Sequence, residues 1–128
     1  PSPIQRQAIP VGLLKRDLIG IAETGSGKTC AFLVPLLCYM QELPKEYFQR
    51  VADQGPLAVV MAPTRELAQQ IQDECIKLAK HTKYQTVCVV GGQSIEEQGF
   101  ILRRGVDICI GWYCCCVPYI CIHYTVYT

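Results

Sequence analysis

Apolar positions along this chain alternate between two patterns. Short continuous runs of four or five residues are bounded by Gly, Pro or polar residues, and longer stretches repeat an apolar residue every three or four positions. The short runs, at residues 18–22, 57–61, 86–90 and 107–110, predict strands. The run at 57–61 is apolar throughout and suits a strand buried on both faces. The longer stretches predict helices. Residues 2–8 form a short one, with Ser2 as N-cap and Pro3 at the first helical position. Residues 28–41 form a second, bent at Pro35. Residues 64–80 place Leu67, Ile71, Cys75 and Leu78 on one stripe, and residues 94–104 open with a capping box, Ser94-x-x-Glu97. Residues 43–56 are polar and predict a surface loop. Strands alternating with helices give an α/β fold with a parallel sheet and right-handed crossovers.

The pattern breaks near the end. Residues 112–128 contain no Asp, Glu, Lys or Arg, and they hold four of the nine cysteines and four of the seven tyrosines. We read residues 1–111 as one domain and 112–128 as an unrelated apolar Cys/Tyr-rich tail, such as a retained intron, a shifted frame or a gene-model error would append. Adjacent cysteines lack the C-x-x-C spacing that puts two thiolates on one metal, although Cys116, Cys121 and His123 offer ligand types. The tail falls short of a membrane span and is interrupted by Pro118, His123 and its tyrosines.

Composition changes the picture little. At 128 residues the chain is long enough for one domain with a core. Half of it is hydrophobic, and 18% is charged with a net charge of +1. There is no strong basic field, so any nucleic-acid contact has to come from a few placed groups. No N-terminal stretch has the form of a signal peptide. Cys30, Cys38, Cys75, Cys88 and Cys109 fall in apolar faces or strands, as buried free thiols of a cytosolic or nuclear protein do.

The chemistry concentrates in Ala22-Glu23-Thr24-Gly25-Ser26-Gly27-Lys28-Thr29, between the first strand and the second helix. Gly25 and Gly27 let the backbone turn its N–H groups toward a phosphate, and the following helix adds the positive end of its dipole. Lys28 reaches the outer phosphates and the Thr29 hydroxyl ligates magnesium, so these two are the catalytic candidates. The strict P-loop pattern asks for Gly where this chain has Ala22.

The flanking motifs explain that departure. Upstream stands Pro1-Ser2-Pro3-Ile4-Gln5-Arg6-Gln7-Ala8-Ile9-Pro10; downstream stand Pro63-Thr64-Arg65-Glu66-Leu67-Ala68-Gln69 and the doublet Gly91-Gly92. These elements, in this order, resemble the first RecA-like domain of a DEAD-box ATP-dependent RNA helicase, where Ala opens the P-loop. Gly91 to Gln98 and Glu23 bring it nearest to the DEAD-box helicase of pre-mRNA splicing. The resemblance implies an incomplete RecA-like P-loop fold. It also implies ATP and Mg2+ as cofactors, with RNA and possible spliceosomal proteins as partners; no membrane or DNA partner is expected. It places the protein in the nucleus, with the cytoplasm as the alternative.

The resemblance assigns nucleotide binding to Gln5 and to Ala22, Glu23, Thr24, Gly25, Ser26, Gly27, Lys28 and Thr29. Gln5 would read adenine through its carboxamide; its local alternative is to cap its own helix, since Ser2-x-x-Gln5 is itself a capping box. RNA binding falls to Pro63, Thr64, Arg65, Gly91, Gly92 and Gln98. Beyond Gly111 the family continues with Thr-Pro-Gly-Arg, and this chain reads Trp112-Tyr113-Cys114. The Asp-Glu-Ala-Asp tetrapeptide that holds magnesium in the family does not occur here. The chain starts inside a motif and reads as a piece of a longer protein. In the family, later strands flank the P-loop strand, so residues 18–22 are expected to lack their neighbours. Three readings follow: a helicase fragment with ATP and RNA determinants but no turnover, a non-catalytic binding module or regulatory short isoform, and a non-functional truncated product.

Overall fold

The computed structural model describes residues 1–112; the sequence readings for 113–128 lie outside it. The chain divides into two compact units, one comprising Pro1–Glu42 and the other starting at Leu43.

The first unit, as described, is built from helices and loops. Helix α1 (Pro3–Leu13) has Ser2 as N-cap and Pro3 at its first position, and it runs further than the sequence predicts, across Pro10. It ends where Lys15 takes φ 58°, a left-handed conformation after the helix end that glycine usually fills. The Lys15 ammonium pairs with Glu42 at 2.8 Å and lies over the Tyr39 ring. Helix α2 (Lys28–Glu42) continues unbroken across Pro35 and packs against α1. It is buried almost all round, with Leu33, Pro35 and Met40 fully enclosed.

Residues 18–22, predicted to be a strand, are not one. They run without regular structure, with Ile19 77% and Ile21 80% exposed. A strand exists only by pairing, and no described residue of this unit forms another strand for it to pair with.

The second unit opens with a correction. The polar stretch read as a loop folds into two short helices, α3 (Lys45–Gln49) and α4 (Val51–Gln54). Neither buries a residue, but Phe48 of α3 stacks on Tyr84 with ring centroids 5.5 Å apart. Strands β1 (Ala58–Ala62), β2 (Thr86–Val89) and β3 (Ile108–Trp112) form a parallel sheet in the order β1-β3-β2. Parallel pairing is as predicted, but burial on both faces of β1 is not. Val60 and Ala62 are buried, whereas Val59 and Met61 are 57% and 47% exposed, because β1 is an edge strand covered on one face.

Between β1 and β2 runs α5 (Arg65–Leu78), which packs on all three strands. Its buried stripe is Ala68, Ile71 and Cys75, continued by Ala79, and Leu78 points outward. The small alanines let helix and sheet approach closely, which the larger leucine would prevent. Helix α6 (Ile95–Arg103) packs on β2. Ser94 caps it, its hydroxyl accepting from the Glu97 N–H at 3.3 Å, which is the serine half of the predicted capping box; no bond from the Glu97 side chain back to the Ser94 N–H accompanies it. Of the five thiols predicted to be buried, Cys75 is, whereas Cys30, Cys38, Cys88 and Cys109 are half-buried. Desolvation pushes the thiols of Cys75, Cys88 and Cys109 up, which favours their protonated form.

The central strand is anchored just before it starts. Asp107 is buried, and its carboxylate accepts the Gln85 N–H at 2.6 Å. Its own N–H donates to the Gln85 carbonyl, and its carbonyl accepts from Leu57 and Ala58. One residue thus ties together the beginnings of all three strands.

Burial holds the Asp107 carboxyl above the usual carboxylate range, and the Gln85 N–H pulls it only part of the way back. For an acid whose folded pKa is raised, ionisation disfavours folding. Its contribution is therefore best below the unfolded pKa, about 3.9, and worsens as pH rises through the folded value. Asp107→Asn keeps an oxygen acceptor and removes the charge. The variant is expected to melt above the wild type at pH 7, with the gap closing toward pH 3; a gap independent of pH, followed by calorimetry, would contradict this.

Hydrogen exchange tests the two units separately. Amides of residues 18–22 should exchange at near-unprotected rates, while those of Ile108 and Ile110 should be the slowest in the chain.

Candidate functional site

The P-loop residues and Gln5 meet in the first unit. Gly25 and Gly27 take φ of 80° and 87°, so the loop needs glycine at both positions. At Gly27 there is a second reason: a methyl group there would lie 2.5 Å from the Gln5 Nε2. That nitrogen donates to the Gly27 carbonyl at 3.2 Å, while the Gln5 Oε1 accepts the Ser2 N–H at 3.0 Å. The capping role predicted for Gln5 is present, and it leaves the other end of the carboxamide free to reach the loop.

Lys28, the first residue of α2, turns its ammonium back onto the loop. It donates to the carbonyl oxygens of Ala22 and Glu23, the latter at 2.6 Å. The Ser26 N–H donates to the Glu23 carbonyl at 3.2 Å, closing a turn around Thr24 and Gly25. The hydroxyl oxygens of Ser2 and Ser26 are buried and have no hydrogen-bond partner among the described residues. Buried polar atoms are normally satisfied, so an orphaned hydroxyl inside this loop fits a polar ligand there. Thr29 follows in the first turn of α2. No group of three His, Cys, Asp or Glu side chains among the described residues is placed to hold a metal, so Thr29 would need phosphate oxygens and water to complete a magnesium shell.

A second cluster forms in the other unit, at the C-terminal ends of its strands. Pro63 and Thr64 follow β1, and Thr64 caps α5 through its Oγ1, which accepts the Leu67 N–H at 3.2 Å. Gly91 and Gly92 follow β2, and Gly92 takes φ 80°. Arg65 reaches across: a methyl group at Gly92 would lie 3.0 Å from one of its terminal nitrogens. Arg65 makes no ion pair among the described residues. Together with Glu66 and Trp112, these residues line an open concavity of about 550 Å³.

Gln98 stands apart from this surface. It is buried, its Oε1 accepts the Val90 N–H at 3.0 Å, and its Nε2 donates to the carbonyls of Val90 at 3.1 Å and Ser94 at 3.4 Å. Its carboxamide is spent on the backbone just before the Gly91-Gly92 turn.

Trp112 was not among the sequence candidates, having been assigned to the tail. It is the last residue of β3, paired with Ala62, and its indole N–H donates to the Pro63 carbonyl at 3.2 Å. Ser2 was also missed as a neighbour of the loop; its position three residues before Gln5 was the available signal.

Comparison with known proteins decides the family. A family model for the DEAD/DEAH box helicases matches residues 2–114. The chain belongs to that family. Over 110 residues it is 60% identical to a probable ATP-dependent RNA helicase, DDX23, of Homo sapiens, covering 86% of this chain and 13% of that protein. It is 57% identical over 112 residues to the pre-mRNA-splicing ATP-dependent RNA helicase PRP28 of Coccidioides immitis, covering 86% and 14%. Its fold is similar to the crystal structure of the RNA helicase Prp28 from Chaetomium thermophilum bound to ADP, with a TM-score of 0.75 and 51% identity over 88% of this chain and 26% of that one. The fold is thus part of a RecA-like domain, and the chain spans only a small fraction of its relatives' length.

Gly25→Ala and Gly27→Ala separate the two demands on the loop. A left-handed non-glycine residue costs about 1–3 kcal/mol, and both substitutions carry that strain. Nothing lies within 4 Å of a methyl group at Gly25, whereas one at Gly27 displaces Gln5. Thermal denaturation should therefore show Gly27→Ala to be the more destabilised; equal losses would mean that the Gln5 contact carries no weight.

Proposed function

We propose that this chain is the nucleotide- and RNA-holding part of the first RecA-like domain of a DEAD-box RNA helicase of the pre-mRNA-splicing type. The observation that carries the reading is the Gln5 to Gly27 hydrogen bond. It joins the adenine-reading motif to the P-loop inside one unit, so base and phosphate recognition share a frame.

In this reading ATP lies with its phosphates against the loop from Ala22 to Thr29. Gly25, Ser26 and Gly27 offer backbone N–H groups, and the Ser26 hydroxyl gains the partner it lacks. Glu23 and Thr24 shape the turn. Lys28 transfers its hydrogen bonds from the loop carbonyls to the outer phosphates, and Thr29 contributes one ligand to magnesium. Gln5 has an amide N–H left beyond the one given to Gly27, which serves adenine. Magnesium, if bound, would be held in part by Thr29 and would supply charge neutralisation for the phosphates.

RNA meets the second cluster. Arg65, Thr64 and the start of α5 face the backbone phosphates, and the Gly91-Gly92 turn comes close to the strand. Gln98 positions that turn from behind through Val90. The names of the relatives, pre-mRNA-splicing helicases, support a nuclear protein working among spliceosomal partners. No helix among the described residues is long and apolar enough to cross a membrane.

By itself this 128-residue chain is expected to hold nucleotide without turning it over. Hydrolysis needs a carboxylate on magnesium and a group that positions water, and the Asp-Glu-Ala-Asp tetrapeptide is not in its sequence. A non-catalytic RNA-binding module is the second reading, favoured by the gathering of Thr64, Arg65, Gly91 and Gly92 in one unit.

Calorimetric titration with ADP and ATP tests the first reading. Lys28→Ala removes a charged donor and should weaken binding about tenfold or more. Equal affinity of the wild type and the variant would sink it. A phosphate-release assay with and without RNA should show no turnover above background; RNA-stimulated release that Lys28→Ala abolishes would contradict the non-catalytic assignment.

A further inference from the structure

Trp112 stands at a position where the family has the first residue of Thr-Pro-Gly-Arg, and it changes the character of the RNA-facing concavity. Strand β3 lies between β1 and β2, so its last residue emerges between the two loops that follow those strands. The indole uses both edges of this position. Its N–H donates to the Pro63 carbonyl on one side. On the other side its six-membered ring lies against Gly91, where a methyl group would come within 2.8 Å of Cζ3. The side chain is therefore fixed in place, yet 40% of the residue remains exposed, and it lines the same concavity as Arg65, Thr64 and Gly92.

A pinned, half-exposed indole beside an arginine with no carboxylate partner is the combination that binds single-stranded nucleic acid without sequence preference. The cation takes the phosphate and the ring takes the base face. A hydrogen-bonded, packed indole also loses little conformational entropy on stacking, unlike a free surface tryptophan. We infer that Trp112 is a stacking platform for one unpaired nucleobase of the RNA strand whose phosphates face Arg65 and Thr64. This rests on the reading of the concavity as the RNA face. It adds a base contact to a surface whose phosphate contacts are Arg65 and Thr64 and which also carries the Glu66 carboxylate, and so gives this chain a preference for unpaired over base-paired strands.

Trp112 is the single tryptophan of the chain, so its fluorescence reports on this site alone. The experiment titrates the 128-residue chain with an unlabelled single-stranded oligouridylate and follows tryptophan emission. In parallel, fluorescence anisotropy measures affinity for the same oligonucleotide carrying a terminal dye. Stacking predicts quenching that saturates with binding, and little quenching by an abasic oligonucleotide of the same length. Trp112→Leu, which removes the aromatic face, should weaken binding about tenfold, and Trp112→Phe, which keeps a ring but loses the N–H, should stay near the wild type. Binding with unchanged emission, or equal affinity for Trp112→Leu and wild type, would overturn stacking while leaving the phosphate face intact. If Trp112→Phe is as weak as Trp112→Leu, the indole acts only as a brace on Pro63, and stacking is again overturned. Affinity that Arg65→Ala leaves unchanged would instead remove the RNA face itself, and the stacking role with it.

Discussion

The second unit depends on the pinning of one strand at both of its ends. At the start, buried Asp107 gathers the backbones of Gln85, Leu57 and Ala58. At the finish, Trp112 holds the Pro63 carbonyl and packs on Gly91. Between these points Ile108 and Ile110 are fully buried and pair with both neighbouring strands. A central parallel strand fixes where its neighbours end. The loops after β1 and β2 are therefore held in register by β3, and the chemistry of Thr64, Arg65, Gly91 and Gly92 inherits its geometry from a strand that carries none of it.

The glycine doublet shows how a close approach can serve two ends. Glycine at 91 leaves room for the Trp112 ring, which lies where a Cβ would sit, and glycine at 92 is required by its φ of 80°. Gln98 secures the same turn from inside, binding both backbone groups of Val90 as a β-strand partner would. A polar side chain buried in this way costs little, since its donors and acceptor are matched. The turn is thus bounded by Trp112 on one side and tied down by Gln98 on the other before any RNA is considered.

Motifs whose meaning is local were legible in the sequence. The P-loop turn, the Ser94 cap and the Thr64 start of α5 each depend on residues within a few positions of one another. Relations between distant residues were not. Residues 18–22 have the composition of a strand, but a strand is a pairing, and composition cannot supply the partner. Leu67 and Leu78 outrank Ala68 and Ala79 in hydrophobicity, yet the close helix–sheet contact selects the alanines, so the stripe predicted on α5 is one position off at both ends. Gln98 resembles any exposed polar helix residue until Val90, eight positions away, is seen to need it. Trp112 was hidden by the change of composition that begins with it. The alternation that places Ile108 and Ile110 on one face carries through to Trp112, and its high strand propensity was the signal available.

The two sites differ in what a ligand must displace. In the second unit the Arg65 guanidinium makes no ion pair among the described residues, so an anion there has no bound carboxylate to displace. In the P-loop Lys28 already donates to two carbonyl oxygens, and binding there is an exchange of neutral acceptors for anionic ones. The Lys28 ammonium is charged in both sets of bonds, so the exchange favours phosphate only through the added attraction between opposite charges, a difference rather than the whole interaction. The loop therefore keeps its shape through its own carbonyls, and under the proposed function it would select for charge. A neutral ligand gains nothing over Ala22 and Glu23, whereas a polyphosphate does. Gln5 adds a constraint on position: its Nε2 is tied to the Gly27 carbonyl, so under the proposed function a base read by that carboxamide would sit at a fixed offset from the phosphates on the loop.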